Sequence, residues 1–260
     1  MTIHPTAIVS DRASITNPIE IGPYSIIGPH VTIGEGCRIG AHAIIEGHTT
    51  LGINNTVHHH AVIGGPPQDQ KYDGSPTRLI IGDNNQFREF CSVHRGTQHD
   101  KGVTQIGSEN LIMANAHIAH DCIVGDRCVI ANSVALAGHV SIGNDVVLGG
   151  LCAVHQFTRI GDGAILSGGA MATQDVPPYT IAQGDRARLR GLNRVGLRRI
   201  GIPTESIGLL SKAYKIIFLS DLNFQRALMT AKDQLPQDPT LERFLAFMDN
   251  SSRGICRASP

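Results

Sequence analysis

An aliphatic residue recurs every six positions along most of this chain. From Ile3 the series runs through Val9, Ile15, Ile21, Ile27, Ile33, Ile39, Ile45, Leu51 and Val57 to Ile63. It resumes at Ile81, Phe87 and Val93, and again at Ile106, Ile112, Ile118, Val124, Ile130, Leu136, Ile142, Leu148, Val154, Ile160 and Leu166. Glycine often follows the anchor, as at Gly28, Gly34, Gly125 and Gly143. A six-residue period fits neither a helix nor a flat two-faced strand. It fits a short strand, a corner and another short strand. Three such units make one triangular coil, and stacked coils share parallel ladders about 4.8 Å apart.

The composition agrees. Hydrophobic residues make up 41% of the 260 but aromatic ones only 4%, with no Trp, so the core must be built from small aliphatic layers. The position four after each anchor also points inward and is small. It holds Ala43, Ala61, Ala116 and Ala164, and five of the six cysteines: Cys37, Cys91, Cys122, Cys128 and Cys152. No C-x-x-C pair occurs, so these read as buried thiols rather than zinc ligands.

Two insertions break the phase, twelve extra residues between Ile63 and Ile81 and seven between Val93 and Ile106. In a solenoid such residues become corner loops, often on the binding face, here at about 64–80 and 97–105. The repeat fades at QDVPPYT, where Pro177 and Pro178 are expected to end strand pairing. Helical patterns follow in PTESIGLLSKAYKIIFL, with an N-cap signal at Pro203 and Thr204, then in NFQRALMTAKDQL and PTLERFLAFM. The expected division is a β-helix over 1–184 and a helical domain over 185–260.

Lys and Arg total 22 against 22 Asp and Glu, so global charge predicts no nucleic-acid partner. The N-terminus has no secretory pattern, and no stretch approaches the roughly 18 apolar residues of a membrane span. A cytoplasmic protein is expected.

Registering the chain on the coil aligns Val93, Ile118, Leu136 and Val154. Beside them run three columns: His94, Ala119, Ala137, His155; Arg95, His120, Gly138, Gln156; and Gly96, Asp121, His139, Phe157. With His117 at the preceding corner, five histidines gather on one face within roughly 15 Å of axial rise. His4, His30, His42, His48 and His58 to His60 read instead as corner and surface positions. Histidine suits proton transfer near neutral pH. Gly138 leaves its N–H open to a reacting carbonyl. Asp121 can fix the tautomer of His120 if a corner lies between them. A base, an oxyanion donor and an orienting group are the parts of acyl transfer to a hydroxyl.

IAHDC, LAGHVSIG, AVHQF, VHRGT, QKYDGSPTR and QDVPPYTIAQG resemble the bacterial UDP-N-acetylglucosamine O-acyltransferases, which open lipid A synthesis, and the resemblance covers essentially the whole chain. It implies a mainly β protein, a left-handed parallel β-helix with a C-terminal α-helical domain, against the usual right-handed crossover preference. It implies a homotrimer with active sites between subunits. The substrates would be UDP-N-acetylglucosamine and a 3-hydroxyacyl acyl carrier protein, with no cofactor or metal. His120 matches the general base, Asp121 its orienting partner and Gly138 the oxyanion donor. His94, His117, His139, Gln156, Asp69 and Lys71 match substrate-binding positions. His155, Asn193 and Arg199 match nucleotide-side contacts. Gly168 matches a position that limits acyl length, with Ser167 and Met171 as neighbours able to fill the space. Two positions depart from the family pattern: Val195, after Arg194, stands where an acidic residue is usual, and Gln70 replaces an apolar one. Arg186, Arg188, Arg190, Arg194 and Arg198 form a cationic run that the resemblance assigns to carrier-protein docking.

Four other readings compete. A related N-acyltransferase would carry an extra N-terminal domain, whereas this repeat starts at Ile3. A coenzyme A-dependent acetyltransferase fits the loops and tail less well. A γ-type carbonic anhydrase would use His94, His117 and His120 as zinc ligands. A non-catalytic scaffold would leave the clustered histidines unexplained.

Overall fold

The computed structural model describes residues 2–258. Short parallel strands stack into three sheets that form the faces of a β-helix. The first sheet begins with Thr2–Ile3, the second with Ile8–Val9 and the third with Ser14–Ile15. Successive coils pair eighteen residues apart, as Ile27 with Ile45 and Ile118 with Leu136. The anchors fill the core, and Ile33, Ile45, Ile63, Ile118 and Leu136 are fully buried.

Both insertions are absorbed without loss of register. Leu51 pairs with Ile81 and Ile81 with Ile106, so the extra twelve and seven residues leave the ladder entirely. A buried asparagine ladder holds these coils together. Asn85 donates to Asn55 Oδ1, Asn110 N–H donates to Asn85 Oδ1 at 2.9 Å, and Cys128 N–H donates to Asn110 Oδ1 at 2.7 Å. These asparagines occupy the inward small position. Each satisfies backbone groups that the core would otherwise leave unpaired.

The thiols at that position do similar work: Cys37, Cys122 and Cys128 donate to carbonyls of the next coil at 3.1 to 3.2 Å. The corners take left-handed backbone at many non-glycine residues, among them Asp121 (φ 58°), His139 (φ 62°) and Phe157 (φ 64°).

The C-terminal part differs from the sequence expectation in three ways. Pro177 and Pro178 do not end strand pairing, because Thr180–Gln183 adds in parallel to the first sheet. The prolines sit in the turn before that strand, where no ladder donor is needed. Next, Arg188–Leu192 returns antiparallel against it, so helix begins only after residue 192. The strand signal was present in Arg186, Arg188 and Arg190 alternating with buried Ala187 and Leu189.

Among the described residues four helices then follow rather than three: α1 (Arg194–Arg199), α2 (Thr204–Phe218), α3 (Phe224–Gln234) and α4 (Pro239–Asp249). Helix α1, capped by Asn193, is too short to show a period. Pro203 caps α2 without a side-chain bond, and Thr204 is already helical. After α4 the chain crosses back onto the β-helix, where Ile255 bridges Asp175.

Candidate active site

The columns predicted from the repeat are real: Val93 pairs with Ile118, Ile118 with Leu136 and Leu136 with Val154. The strands end just past these anchors, and the edge where the second sheet turns into the third carries the side chains of interest. His120 and Asp121 lie in that turn. The left-handed backbone at Asp121 folds its carboxylate back, and His120 Nδ1 donates to Asp121 Oδ2 at 2.9 Å. A straight strand would have pointed the two apart.

Asp121 is fully held. Its side chain has no exposure. It accepts from the Thr97 N–H at 3.0 Å and the Thr97 hydroxyl at 2.7 Å, while its own N–H donates to Thr104 Oγ1 at 2.8 Å. Burial pushes its pKa up, but the bonds from His120 and Thr97 outweigh this and hold it below the usual carboxylate range. A carboxylate only accepts, so His120 carries its proton on Nδ1 and presents Nε2 as a base.

Gly138 lies one coil on, against this ring. A Cβ there would stand 2.5 Å from His120 Cε1 and 2.7 Å from Nε2. The absence of a side chain is therefore what admits the imidazole, and the Gly138 N–H has no acceptor among the described residues.

The other histidines divide. His139 packs edge-on to His120 at 5.1 Å, and Phe157 of the following coil stacks on it at 4.4 Å. His94 and His117 form a second edge-on pair at 4.7 Å, with His117 Nδ1 2.8 Å from Ser92 Oγ. Burial, then the neighbouring His117, holds the His94 imidazole down to about 4. Burial also lowers His117. His155 and Gln156 are exposed, one coil further along.

Both inserted loops close over this edge. Arg95 donates to the Gly64 carbonyl at 2.8 Å and contacts the Tyr72 hydroxyl at 3.2 Å, tying down the loop that carries Asp69 and Lys71. The Lys71 carbonyl in turn lies 2.9 Å from Gln98 Nε2 in the second loop. Thr97 and Asp100 of that loop reach Asp121 and His139. None of Arg95, Thr97, Asp100 or Thr104 had been assigned a site role from the sequence. Loop side chains follow no period that would reveal them.

Three expected residues, Asn193, Arg199 and Gly168, lie on other edges. Asn193 spends both ends of its amide internally, accepting from Gly196 N–H and donating to the Gly163 carbonyl, each at 2.9 Å. With Arg199, Arg127 and Asp145 it lines a cleft of about 280 Å³ on the edge where the third sheet turns into the first. That is a different edge of the prism from His120. Gly168 lies on the remaining edge, exposed and beside Gly150. Arg186, Arg188, Arg190, Arg194 and Arg198 are all exposed, and none is ion-paired among the described residues. Arg253, from the returning C-terminal segment, reaches His155 Nδ1 at 3.1 Å, a contact the repeat could not reveal. A larger cavity of about 620 Å³ lies between α2, α3 and the C-terminal segment, away from the histidines.

Comparison with known proteins decides the family. A relative in Anaeromyxobacter dehalogenans, named acyl-[acyl-carrier-protein]–UDP-N-acetylglucosamine O-acyltransferase, is 54% identical over 257 residues, covering 99% of this chain and 100% of its own. The chain belongs to the UDP-N-acetylglucosamine O-acyltransferase family. A Myxococcus xanthus protein of the same name is 51% identical over 98% of this chain and 99% of its own. The crystal structure of UDP-N-acetylglucosamine O-acyltransferase from Moraxella catarrhalis matches with a TM-score of 0.95 at 44% identity, over 99% of this chain and all of that one. The family profile described as UDP N-acetylglucosamine O-acyltransferase, domain 2, matches residues 175–256, and bacterial transferase hexapeptide repeats match 104–138. Membership of this O-acyltransferase family overturns the carbonic anhydrase, N-acyltransferase, acetyltransferase and scaffold alternatives. The zinc reading also needed His94, His117 and His120 together. Among the described residues, the three donors that lie within 4.8 Å of one another are instead on His120, Asp121 and His139.

Proposed function

We propose that His120 is the general base of this acyltransferase. The enzyme catalyses the first step of lipid A biosynthesis, moving an acyl chain from acyl carrier protein to UDP-N-acetylglucosamine. In our reading the chain is a 3-hydroxyacyl group and the acceptor is the sugar 3-hydroxyl. That oxygen attacks the thioester carbonyl carbon as its proton passes to His120 Nε2. The C–O bond forms, the negative oxygen is met by the Gly138 N–H, and the C–S bond then breaks. His120 returns the proton to the departing thiolate. Asp121 holds the base in the required tautomer throughout, as in other acid–base pairs. The observation that carries this reading is the His120–Asp121 bond, which leaves Nε2 free beside Gly138.

The same reading makes the enzyme a homotrimer. Asn193 and Arg199 lie on a different edge from His120, so a neighbouring chain is needed to bring nucleotide contacts to the base. The outward residues between His117 and Gly168 include Ala135 and Ala153, small enough to pass an acyl chain along the sheet. The free arginines dock the acidic carrier protein, and the enzyme works in the cytoplasm. Among the described residues no helix is long and apolar enough to cross a membrane.

The test is transfer from 3-hydroxyacyl carrier proteins of several lengths to UDP-N-acetylglucosamine, by wild type and His120→Ala. Transfer that falls roughly 10²- to 10⁴-fold in the variant supports the base. Equal rates would remove His120 from the chemistry. The preferred length tests the place of Gly168.

A further inference from the structure

Two Asp–His pairs stand side by side at this edge, and only one is explained by the reaction. His139 Nδ1 lies 2.9 Å from Asp100 Oδ2. A carboxylate accepts, so in the neutral imidazole the proton sits on Nδ1 and Nε2 is left as an acceptor. That nitrogen faces the His120–Asp121 pair, 3.9 Å from Asp121 Oδ2. Phe157 stacks on the ring at an interplanar angle of 13° and fixes its plane. Stacking is indifferent to a half-turn of the ring, which exchanges Nδ1 with Cδ2 and Nε2 with Cε1, and to which nitrogen carries the proton. Asp100 removes that ambiguity. It belongs to the second inserted loop, whose Gln98 also holds the carbonyl of Lys71.

We propose that Asp100 is a positioning residue that makes His139 a hydrogen-bond acceptor for a hydroxyl of the bound sugar nucleotide. The inference rests on the reading of His139 as a substrate contact. Asp100 bonds to His139 and not to the His120–Asp121 pair. It acts by deciding which nitrogen of His139 is bare, as second-layer carboxylates do for histidine ligands elsewhere. A bare Nε2 accepts from a hydroxyl, whereas the opposite tautomer would offer that hydroxyl a donor.

The experiment uses the full-length enzyme labelled with ¹⁵N at histidine. Long-range imidazole NMR reads the tautomer, and the signal lost in His139→Gln assigns it. Wild type should show His139 protonated on Nδ1. Asp100→Ala should move the proton to Nε2 and raise KM for UDP-N-acetylglucosamine about tenfold, with kcat within about twofold. Asp100→Asn, whose amide oxygen still accepts from Nδ1–H, should stay within about threefold of wild type. An alanine variant that keeps the Nδ1 proton, or keeps the wild-type KM, overturns the proposal. A wild type with no transfer to UDP-N-acetylglucosamine would instead sink the substrate reading, and the hydroxyl acceptor with it, whatever tautomer the NMR reports.

Discussion

The His120 imidazole occupies the space that any side chain at Gly138 would claim, with the missing Cβ position 2.5 Å from Cε1. One glycine thus makes room for the base and bares a backbone donor beside it. Its φ is not in the left-handed region, so alanine is tolerated by the backbone. Gly138→Ala should therefore fold with a near-native melting temperature but displace the ring and lose about 10²-fold in kcat/KM. Steady-state kinetics beside a thermal melt separate the two effects. Wild-type activity in this variant would mean that the ring position is not critical.

Asp121→Asn should keep the fold, since Thr97 N–H and the Thr97 hydroxyl still find an acceptor there. It should free His120 to adopt the wrong tautomer. The expected loss is roughly 10²- to 10⁴-fold in kcat with little change in KM. A variant with near-wild-type kcat would remove the orienting role.

His94 makes stability depend on pH. Its Nδ1 is buried without a partner among the described residues, and burial holds its pKa down to about 4 from an ordinary 6.5. The unfolded chain binds this proton more readily than the folded one. The contribution is therefore fully present above the ordinary value and is lost as pH falls toward about 4, by on the order of 3 kcal/mol for full loss. His117, lowered chiefly by burial, acts in the same sense. Denaturant melts at pH 7.5 and pH 5 should show the decline in wild type and a shallower one in His94→Phe. An equal decline in both would assign it to other groups.

Burial pushes the thiols of Cys91, Cys122, Cys128 and Cys256 up to about 12. Neutral thiols are poor nucleophiles. Native enzyme at pH 8 should resist iodoacetamide, while unfolded enzyme takes up six equivalents, one for each cysteine. During turnover, intact mass should show no acyl adduct. A stable acyl-enzyme would contradict direct attack on the thioester.

Replacing Arg186, Arg188 and Arg190 together by Glu should raise KM for the acyl carrier protein about tenfold or more at low salt, and less at high salt. The KM for UDP-N-acetylglucosamine should not move. If both constants stay at wild-type values, the carrier docks elsewhere.

The β-helix and its columns were legible because a six-residue period repeated many times allows only one register that buries every anchor. The pairing of Leu51 with Ile81 across twelve extra residues follows from that alone. The return strand Arg188–Leu192 was legible in its alternating arginines, but a change of composition masked it. Other features had no repeat behind them. The left-handed corner at Asp121, the reach of Thr97 and Asp100 and the arrival of Arg253 depend on loop and tail backbones whose residues recur at no spacing. The sequence by itself determined which residues share an edge, through periodicity and burial. Only the tertiary structure decided which nitrogen of His120 and of His139 is bare, because that depends on a left-handed corner at Asp121 and on a loop carboxylate 39 residues away. It also separated Asn193 from His120, because distance around the prism is set by which corner each residue meets.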